Sequence, residues 1–450
     1  MNTRSVEKVN STSTYRQSLC RAMSLFLTGS LFSQLSPLAP GWDGNLGWTL
    51  RQVIFQCILM TFESSATLKD RFTRARRVLR QMFRGSKAPG KTYQSLVKAR
   101  QKISGKQRRY LKKHLRDCHR RIARDFWSHL GWEAFAVDGS RVATARTLAN
   151  EKALGCAGRT KTGPQLSLTV LYQMGTGLPW DWQIGRGPRS ERDHLRAMLA
   201  TLPENALLVA DAGFVGYDLF CTLLARKLSF LIRVGANVHF LTDLLDLEVQ
   251  TRSKRVFLWP QGKRHLKPLV LRLIKLEKAD PLPVYLVTNV LDDNRLPDRT
   301  ASALYRMRWG VELCFRDFKR TLDQHKMRSH SPAQAKQELF WAMVGYLLMG
   351  LMSVDLMTAE GRNPRALSTA EALRTIREAM TETKRWRRKG DLRVLLKKAV
   401  KDGYVRTGSK KAHDWPHKKN DPPAGSPKIR PATKKERDRA KRSYEKKSAA

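Results

Sequence analysis

The sequence lacks the features that mark several large protein classes. Its six cysteines are scattered and include no CxxC pair, so we expect neither a disulfide framework nor a zinc module, but a reducing compartment. Gly185, Gly187 and Pro188 do not form a glycine-rich phosphate loop, so no nucleotide cofactor is expected. The first residues lack the order of basic, apolar and small residues that is typical of a signal peptide.

Long apolar runs are also missing. A membrane-spanning helix needs about 20 apolar residues, whereas the best candidate, residues 339–354, has 16 uncharged residues between Glu338 and Asp355. This length predicts a buried core helix, and no membrane partner is expected.

Acidic residues are scarce relative to basic ones. The 450 residues include 85 Lys and Arg against 39 Asp and Glu, which gives a net charge of +46 and a pI near 10.7. Such an excess repels itself unless a polyanion is near. Nucleic acid is the commonest large polyanion, because each neutralised phosphate releases condensed counterions. An anionic membrane surface is the alternative. The composition therefore predicts a soluble, intracellular, polyanion-binding protein.

The basic residues are concentrated in two regions. Residues 71–124 hold 20 Lys or Arg against one acid, Asp117, and their apolar residues recur at helical spacing. We therefore predict ordered basic helices within a helical DNA-binding domain over residues 1–130. Helices that only solubilise the surface are the alternative. Residues 361–450 are a second basic region, predicted to be disordered from about residue 391.

The middle of the chain alternates between strand-like and helix-like segments. Apolar runs such as AFAVD and ALLVAD precede segments with helical spacing, which predicts an α/β fold with a partly parallel mixed sheet. Residues 131–235 and 283–360 are predicted to form this core. Residues 236–282 alternate polar and apolar residues and are predicted to be a β-rich insertion of hairpins.

One segment of the core, residues 305–320 (YRMRWGVELCFRDFKR), is predicted to form a helix with a charged stripe. At about 100° per residue, five polar side chains fall within an arc of about 60°. These are Tyr305, Arg308, Glu312, Arg316 and Lys319. The neighbouring arc is apolar and consists of Met307, Val311, Cys314, Phe315 and Phe318. One carboxylate among cations suits a charged substrate, and a solvated face with intrahelical ion pairs is the alternative.

Two further acids occupy suggestive places. Asp138 and Asp211 each end a predicted strand and precede small residues, in DGS and DAGFVG. Active sites of open α/β sheets gather at the carboxyl ends of strands. If the two strands are neighbours, Glu312 joins a three-acid cluster, which becomes favourable with two Mg²⁺ or Mn²⁺ ions. A helix cap or turn residue is the alternative for either aspartate.

The spacing of these residues resembles that of a known family. Four positions are similar to the Y-R-E-K signature of one large group of bacterial insertion-sequence transposases of the DDE class: Tyr305, Arg308, Glu312 and Lys319. The DAGF around Asp211 resembles the second block of this family, and the VDGS around Asp138 resembles its first block. The resemblance extends over residues 90–360.

The resemblance implies a fold and a reaction. It implies a ribonuclease-H-like catalytic core and cut-and-paste DNA transposition that depends on Mg²⁺. It also implies that Asp138, Asp211 and Glu312 hold the metal ions.

The resemblance further implies how DNA is bound. Tyr305, Arg308 and Lys319 would contact the terminal phosphates of the element, and Arg316 on the same stripe would bind an adjacent phosphate. Double-stranded DNA is the implied partner, with a homodimer bridging two element ends. The implied location is the bacterial cytoplasm, in association with the nucleoid.

The sequence departs from the family pattern at one place. Well-studied relatives open a hairpin intermediate and stack a flipped base on a tryptophan of the insertion. The corresponding strand here, PLPVYLVT, offers Tyr285 instead. Trp259 in VFLWPQ is the other candidate, with a half-buried strand position as the alternative role.

Two other functions share part of this pattern. A metal-dependent nuclease of the same fold would use the same acids without joining strands, although the long insertion favours a transposase. A non-catalytic DNA-binding protein derived from a transposase is the second alternative, but all three acids and all four signature positions are present. The sequence therefore predicts a Mg²⁺-dependent phosphoryl transferase that acts on DNA as a transposase.

Overall fold

The computed structural model of the chain describes residues 15–38, 47–155, 163–245, 254–276, 283–381, 392–401 and 425–445. The chain divides into two compact units, which we call the helical unit and the sheet unit. The helical unit comprises Met1–Arg124, Ala143–Ala153 and Arg316–Lys401. The sheet unit comprises Asp125–Val142, Leu154–Phe315 and Asp402–Ala450.

The secondary structure of the described residues is mixed. The helices are α1 (Tyr15–Ser24), α2 (Gly29–Leu35), α3 (Leu50–Phe62), α4 (Leu68–Met82), α5 (Tyr93–Gln101), α6 (Gly105–Ile122), α7 (Leu148–Leu154), α8 (Glu191–Met198), α9 (Tyr217–Ala225), α10 (Asp298–Met307), α11 (Gly310–Arg316), α12 (Pro332–Thr358), α13 (Thr369–Thr381), α14 (Leu392–Leu396) and α15 (Lys434–Glu445). The strands are β1 (Ala134–Thr144), β2 (Gln165–Gln173), β3 (Leu178–Arg186), β4 (Leu207–Ala210), β5 (Ser229–Val234), β6 (His239–Thr242), β7 (Lys254–Leu258), β8 (Leu269–Leu276), β9 (Val284–Thr288), β10 (Lys326–Met327) and β11 (Lys428–Pro431).

Two apolar helices, α3 and α12, form the centre of the helical unit. Helix α3 begins at a capping box, in which Thr49 and Gln52 bond each other's backbone N–H groups. Gly345 of α12 lies so close to Thr61 of α3 that a methyl group at this position would be 2.9 Å from the Thr61 Cβ atom. In the described part of the chain, α12 alone is long and apolar enough to cross a membrane, but 94% of its apolar window is buried inside the protein. The prediction of a core helix is confirmed.

The basic segment forms the predicted helices. Helix α4 buries Phe72, Val78 and Leu79, and helix α6 buries Leu111 and Leu115. The exposed faces of α4 and α6 carry most of their Lys and Arg side chains. Each helix is therefore amphipathic, with an apolar face that anchors it and a cationic face that meets solvent.

The described strands join in one mixed sheet with the order β11-β6-β7-β8-β9-β5-β4-β1-β2-β3, and β10 pairs with the end of β1. Strands β1, β4 and β5 are mutually parallel neighbours, whereas β2 and β3 are antiparallel. The parallel strands are buried along their apolar positions and are connected by helical crossovers, as expected for the α/β part of a sheet. The predicted α/β fold with a mixed sheet is confirmed.

The predicted insertion is antiparallel and continues the core sheet. Strands β6, β7, β8 and β9 pair in antiparallel succession, and β9 pairs with β5. The insertion therefore extends the sheet on the β5 side. Residues 246–253 and 277–282 of this region lie outside the described residues.

Three boundaries differ from the predictions. Strand β1 does not end at Asp138 but continues to Thr144, because residues 143 and 144 pair with β10. Residues 305–320 are not one helix, since α10 ends at Met307 and α11 begins at Gly310. The predicted core segment 283–360 is divided, with the part from Arg316 onward belonging to the helical unit.

The prediction of disorder from residue 391 is wrong for the described part of the tail. Strand β11 pairs in parallel with β6, and α15 follows it. Glu436 of α15 accepts hydrogen bonds from Arg264 and Arg430, and Ala432 and Ala440 pack against Trp259. The tail is ordered here by contacts with the insertion. Residues 402–424 and 446–450 lie outside the described residues.

A buried arginine of the insertion fixes the start of α10. The side chain of Arg272 in β8 is fully buried and lies 2.9 Å from the Asp298 carboxylate at the first position of α10. It also donates to the carbonyl oxygens of Val290 and Asp292 at 3.2 Å and to that of Leu296. Burial of this charge is tolerated because oxygen acceptors surround it. The orientation of α10 therefore depends on a side chain of the insertion.

We expect Arg272→Met to destabilise the protein by about 3 kcal/mol, because several buried carbonyl groups lose their donor. Urea-induced unfolding measures this change. Lys275→Met, on the same strand but exposed, is the matched control and should change the stability little. Equal effects of the two variants would contradict the role assigned to Arg272.

Candidate active site

Asp138 and Asp211 lie beside each other at one edge of the sheet. Strands β1 and β4 are parallel, with Ala136 paired with Val209, so the same register two residues further brings Asp138 beside Asp211. Asp211 directly follows β4, as predicted. Although β1 continues past Asp138, the two aspartates remain neighbours, because the register of β1 and β4 sets which residues lie side by side.

Neighbouring backbone N–H groups hold both carboxylates. The Asp211 Oδ1 atom accepts a hydrogen bond from the Gly213 N–H at 2.9 Å and caps the helical turn Ala212–Phe214. The Asp138 Oδ1 atom accepts from the Gly139 N–H at 2.8 Å. Asp211 therefore caps a turn, as the alternative role stated, and it also lies beside Asp138.

The surroundings of Asp138 favour its protonated form. Burial raises the pKa of this carboxyl from its ordinary value of 3.8 to about 7. The Gly139 N–H and Arg308 oppose this shift, whereas the negative charges of Asp211 and Glu191 increase it. A carboxylate pair in this setting attracts cations, because a nearby positive charge would offset both burial and repulsion.

The junction of α10 and α11 brings three residues of the charged stripe to this edge. The Arg308 Nη2 atom lies 2.8 Å from the Glu312 Oε1 atom, and the Arg308 guanidinium lies 5.7 Å from the centre of the Tyr305 ring. Burial alone would lower the pKa of Arg308, but Tyr305, Glu312 and Asp138 outweigh it and raise this pKa. Arg308 therefore interacts with the acids of both strand and helix.

Tyr305 extends this network toward the second aspartate. Burial raises the pKa of its phenol, Arg308 and Arg233 lower it, and Asp211 raises it. Tyr305 is therefore within electrostatic range of Asp211 and Arg308 within range of Asp138, and Glu312 is tied to this group through its ion pair with Arg308. Arg233, on β5, is a cation of this site that the sequence reading missed.

A break in the helix shapes the junction. Arg308 and Trp309 separate α10 from α11, and a methyl group at Gly310, the first residue of α11, would lie 2.7 Å from the Tyr172 ring. Glycine therefore lets the start of α11 pack closely on β2. Trp309 is left 57% exposed. An exposed indole beside Arg308 is a second feature that the sequence reading did not single out.

The other two residues of the stripe belong to the helical unit. Arg316 is exposed and pairs with Asp317, with an Nη2 to Oδ1 distance of 3.1 Å. Lys319 is partly buried, and burial lowers its pKa. The break at Trp309 means that the stripe is not the continuous helical face predicted from spacing.

The two base-stacking candidates are packed within the protein. Trp259 is 2% exposed, donates from its Nε1 atom to the Leu266 carbonyl oxygen at 2.8 Å, and lies under the Arg264 guanidinium. This burial contradicts its prediction as a base-stacking residue, because the tail and Arg264 cover the ring. Tyr285 is partly buried and packs against the core of the sheet.

The fit of a metal ion to this site depends on its carboxylates. Among the described residues, no three Asp, Glu, His or Cys side chains lie close enough to bind one ion, and Glu312 is paired with Arg308. The donors at the site are nevertheless carboxylate oxygens, which Mg²⁺ and Mn²⁺ prefer. Burial is the largest cause of the raised pKa of Asp138, and the negative charges of Asp211 and Glu191 add to it. The donor set therefore fits a hard divalent cation.

Comparison with known families identifies the class to which this site is similar. Residues 131–348 match the family described as "Transposase DDE domain". This segment contains Asp138, Asp211 and Glu312. Over these residues the chain is similar to that transposase family.

Individual proteins show the same similarity. The chain is 24% identical over 297 residues to "Transposase InsG for insertion sequence element IS4" of Escherichia coli (strain K12). This alignment covers 62% of this chain and 65% of that protein. It is 33% identical over 163 residues to "Putative transposase y4zB" of Sinorhizobium fredii (strain NBRC 101917 / NGR234), which covers 33% of this chain and 43% of that protein. The chain thus spans less than two thirds of the length of these relatives.

Two solved structures are similar over part of the chain. A piggyBac transposase synaptic complex with hairpin DNA aligns with 88% of this chain and 87% of its own, at 13% identity and a TM-score of 0.43. A pre-cleavage Mos1 transpososome aligns with 49% of this chain and 78% of its own, at 10% identity and a TM-score of 0.16.

The raised pKa of Asp138 predicts a pH dependence of stability in the metal-free protein. The folded state holds a proton between the ordinary pKa of 3.8 and the folded pKa of about 7. The stability contributed by this carboxyl is therefore present below the lower value and is lost as the pH rises through the upper one. Asp138→Asn keeps the acceptor for Gly139 without the charge, so we expect it to stabilise the protein in EDTA at about pH 7.5 by about 1 kcal/mol or more.

Thermal unfolding at about pH 7.5 and about pH 4.5 measures this effect, and the stabilisation should shrink at the lower pH. Asp218→Asn is the control, since Asp218 is an exposed aspartate of the same unit. A stabilisation that does not depend on pH, or a loss of stability at the higher pH, would contradict the assignment.

Proposed function

We propose that the chain is a DNA transposase of an insertion sequence, which binds the element's terminal inverted repeats and catalyses metal-dependent strand cleavage and strand transfer. One observation carries the proposal. The register of β1 and β4 brings Asp138 beside Asp211, Arg308 interacts with Asp138 and pairs with Glu312, and these residues lie within the segment that matches the transposase family.

The acids are assigned a role by their donor chemistry. Asp138, Asp211 and Glu312 would hold two divalent ions, Mg²⁺ or Mn²⁺. When bound, these ions supply positive charge to the attacking and leaving oxygens of a phosphodiester. Glu312 would leave its pairing with Arg308 for this purpose, which frees the guanidinium for a phosphate.

The cations and the phenol are assigned to DNA phosphates. Arg308 presents a planar donor fork that suits phosphate oxygens, and Tyr305 offers a hydroxyl beside it. Arg233 adds a third phosphate contact on the β5 side. Lys319 and Arg316 complete the set expected from the Y-R-E-K resemblance. Together Tyr305, Arg308 and Arg233 would hold the scissile strand in register with the carboxylates.

The order of the sheet supports a ribonuclease-H-like core. Strands β3-β2-β1-β4-β5 are consecutive, with β2 and β3 antiparallel and β1, β4 and β5 parallel. The acids follow from this arrangement, since one lies on β1 and one directly after β4. The α10–α11 junction supplies the third.

Binding of DNA outside the site would fall to the basic helices. The cationic faces of α4 and α6 suit phosphate contacts along a duplex, and a homodimer would bridge two element ends. Trp309 replaces Trp259 as the proposed base-stacking residue, because its indole is exposed and aromatic rings stack on unpaired bases.

Replacement of Glu312 separates catalysis from binding. We expect both Glu312→Ala and Glu312→Gln to lower Mg²⁺-dependent strand cleavage by about 100-fold or more. Glutamine has a side-chain oxygen that can still accept a hydrogen bond from Arg308. A loss of cleavage in Glu312→Gln would therefore be caused by the lost negative charge. Binding of the terminal repeat, measured by fluorescence anisotropy in EDTA, should change little because the phosphate contacts lie elsewhere.

A glutamate of the helical unit, Glu371, provides the control, and Glu371→Ala should retain cleavage. Equal losses of binding and cleavage in the Glu312 variants would contradict the assignment of Glu312 as a metal ligand. Cleavage that persists in Glu312→Gln would also contradict this assignment.

A further inference from the structure

A cleft opens beside the insertion where two neighbouring strands part. Strands β6 and β7 pair at Leu241 and Phe257, and the same antiparallel register would place His239 opposite Trp259. These two residues instead line a cavity of about 630 Å³. This volume is typical of a site for a small organic ligand, for which about 300–1,000 Å³ is usual.

The C-terminal tail forms another wall of this cleft. Strand β11 pairs in parallel with β6, with Lys428 beside His239 and Arg430 beside Leu241, and both basic residues line the cavity. The tail lies outside residues 131–348, the segment that matches the transposase family. Strand β8 also separates the cleft from β9, the strand to which the family resemblance assigns base stacking. The cleft is therefore not part of the family pattern.

The lining of the cleft is cationic. Three of its residues are positively charged, Arg264, Lys428 and Arg430, and none of the described lining residues is acidic. Glu436 of α15 offsets part of this charge, because it pairs with Arg264 and Arg430. One carboxylate does not balance three cations, so the cleft attracts an anion.

Arg264 keeps one donor without an acceptor. Its Nη2 atom donates to the Glu436 Oε1 atom at 2.9 Å, and its guanidinium lies 4.5 Å from the centre of the Trp259 ring. Its Nη1 atom is buried and has no hydrogen-bond partner among the described residues. A buried charged donor without an acceptor is unfavourable, and an oxyanion in the cleft would remove this cost.

The remainder of the lining suits a heterocyclic base. Tyr217, Leu258 and Trp259 are buried and give the cleft an apolar wall. Asn237 and Gln261 are exposed residues of the same lining, and their amide groups can donate and accept hydrogen bonds, as the edge of a base does. An inorganic phosphate would meet the cations but leave most of the volume unfilled. A nucleotide matches both parts of the cleft.

We propose that this cleft binds a nucleoside phosphate, with the Nη1 atom of Arg264 donating to a phosphate oxygen and Lys428 adding positive charge. The base would lie between the apolar wall and the two amides. A free mononucleotide and one unit of an unpaired DNA strand share this chemistry, and the test separates the two sources. The inference goes beyond the proposed function, because it uses none of the carboxylates.

Photocrosslinking of 5-iododeoxyuridine monophosphate to the full chain tests the proposal. Mass spectrometry of the crosslinked peptides locates the bound base, which should be attached to aromatic residues of the lining such as Trp259 or His239. Arg264→Met should lower the affinity by about tenfold or more, because a charge-assisted hydrogen bond is lost. The measurement is made in EDTA, so its result does not depend on the metal site.

Two further variants make the test specific to the cleft. Lys428→Ala should lower the affinity by about two- to threefold, and because Lys428 is exposed this variant should fold even if Arg264→Met disturbs the tail. Lys275→Met removes an exposed cation of β8 that is not among the lining residues, and it should leave the affinity unchanged. Circular dichroism confirms that each variant is folded.

Competition for the crosslink identifies the source of the nucleotide. A thymidine pentanucleotide that competes at least about tenfold better than thymidine monophosphate identifies an unpaired DNA strand as the ligand, and a smaller difference identifies the free nucleotide. Thymidine that competes as well as its monophosphate overturns the phosphate contact and the proposal with it.

Three other results overturn the proposal. The first is crosslinking only to residues outside the lining. The second is an unchanged affinity in both Arg264→Met and Lys428→Ala. The third is an equal loss in Lys275→Met, which would mean that the nucleotide responds to the general surface charge.

Discussion

The parallel pairing of β1 with β4 is the constraint on which the site depends. It places Asp138 beside Asp211, and burial, with a smaller contribution from the charge of Asp211, raises the pKa of Asp138 to about 7. The sheet can hold this unfavourable pair because its apolar residues are buried on both sides of the acids. A carboxyl group with a strongly shifted pKa is typical of sites that bind a cation or a charged substrate.

The elements around this pair are held by specific contacts rather than by general burial. Gly310 lets α11 approach Tyr172, Arg272 fixes the start of α10, and Arg308 links Glu312 with Asp138. The insertion therefore has a structural role for the site, since Arg272 belongs to one of its strands. The insertion also orders the described part of the tail, because β11 pairs with β6 of the insertion.

The sequence predicted much of this arrangement for physical reasons. Apolar runs followed by acids indicated the strands, and the fixed spacing of Tyr305, Arg308 and Glu312 indicated that they act together. The break at Trp309 was missed, because a single glycine within a helical pattern is locally tolerated and its contact with Tyr172 is a tertiary one.

Other features depend on contacts that local composition does not reveal. The approach of Glu191 to Gly139 follows from how α8 packs on the sheet, which the local sequence does not show. The tail is rich in charge, which is typical of disorder, yet strand pairing and the bonds of Glu436 order its described part. Trp259 lies in a strand-like run, and only the fold shows that the tail covers it.

The central claim is that these carboxylates catalyse both cleavage and joining of DNA. The most direct measurement is strand transfer by the full chain on a duplex that carries the element's own terminal repeat, with Mg²⁺ or with EDTA, for the wild type and Asp211→Asn. The account predicts joined products with the wild type in Mg²⁺ and none in EDTA or with the variant. Cleaved ends that are never joined, or joining that survives in Asp211→Asn, would contradict it.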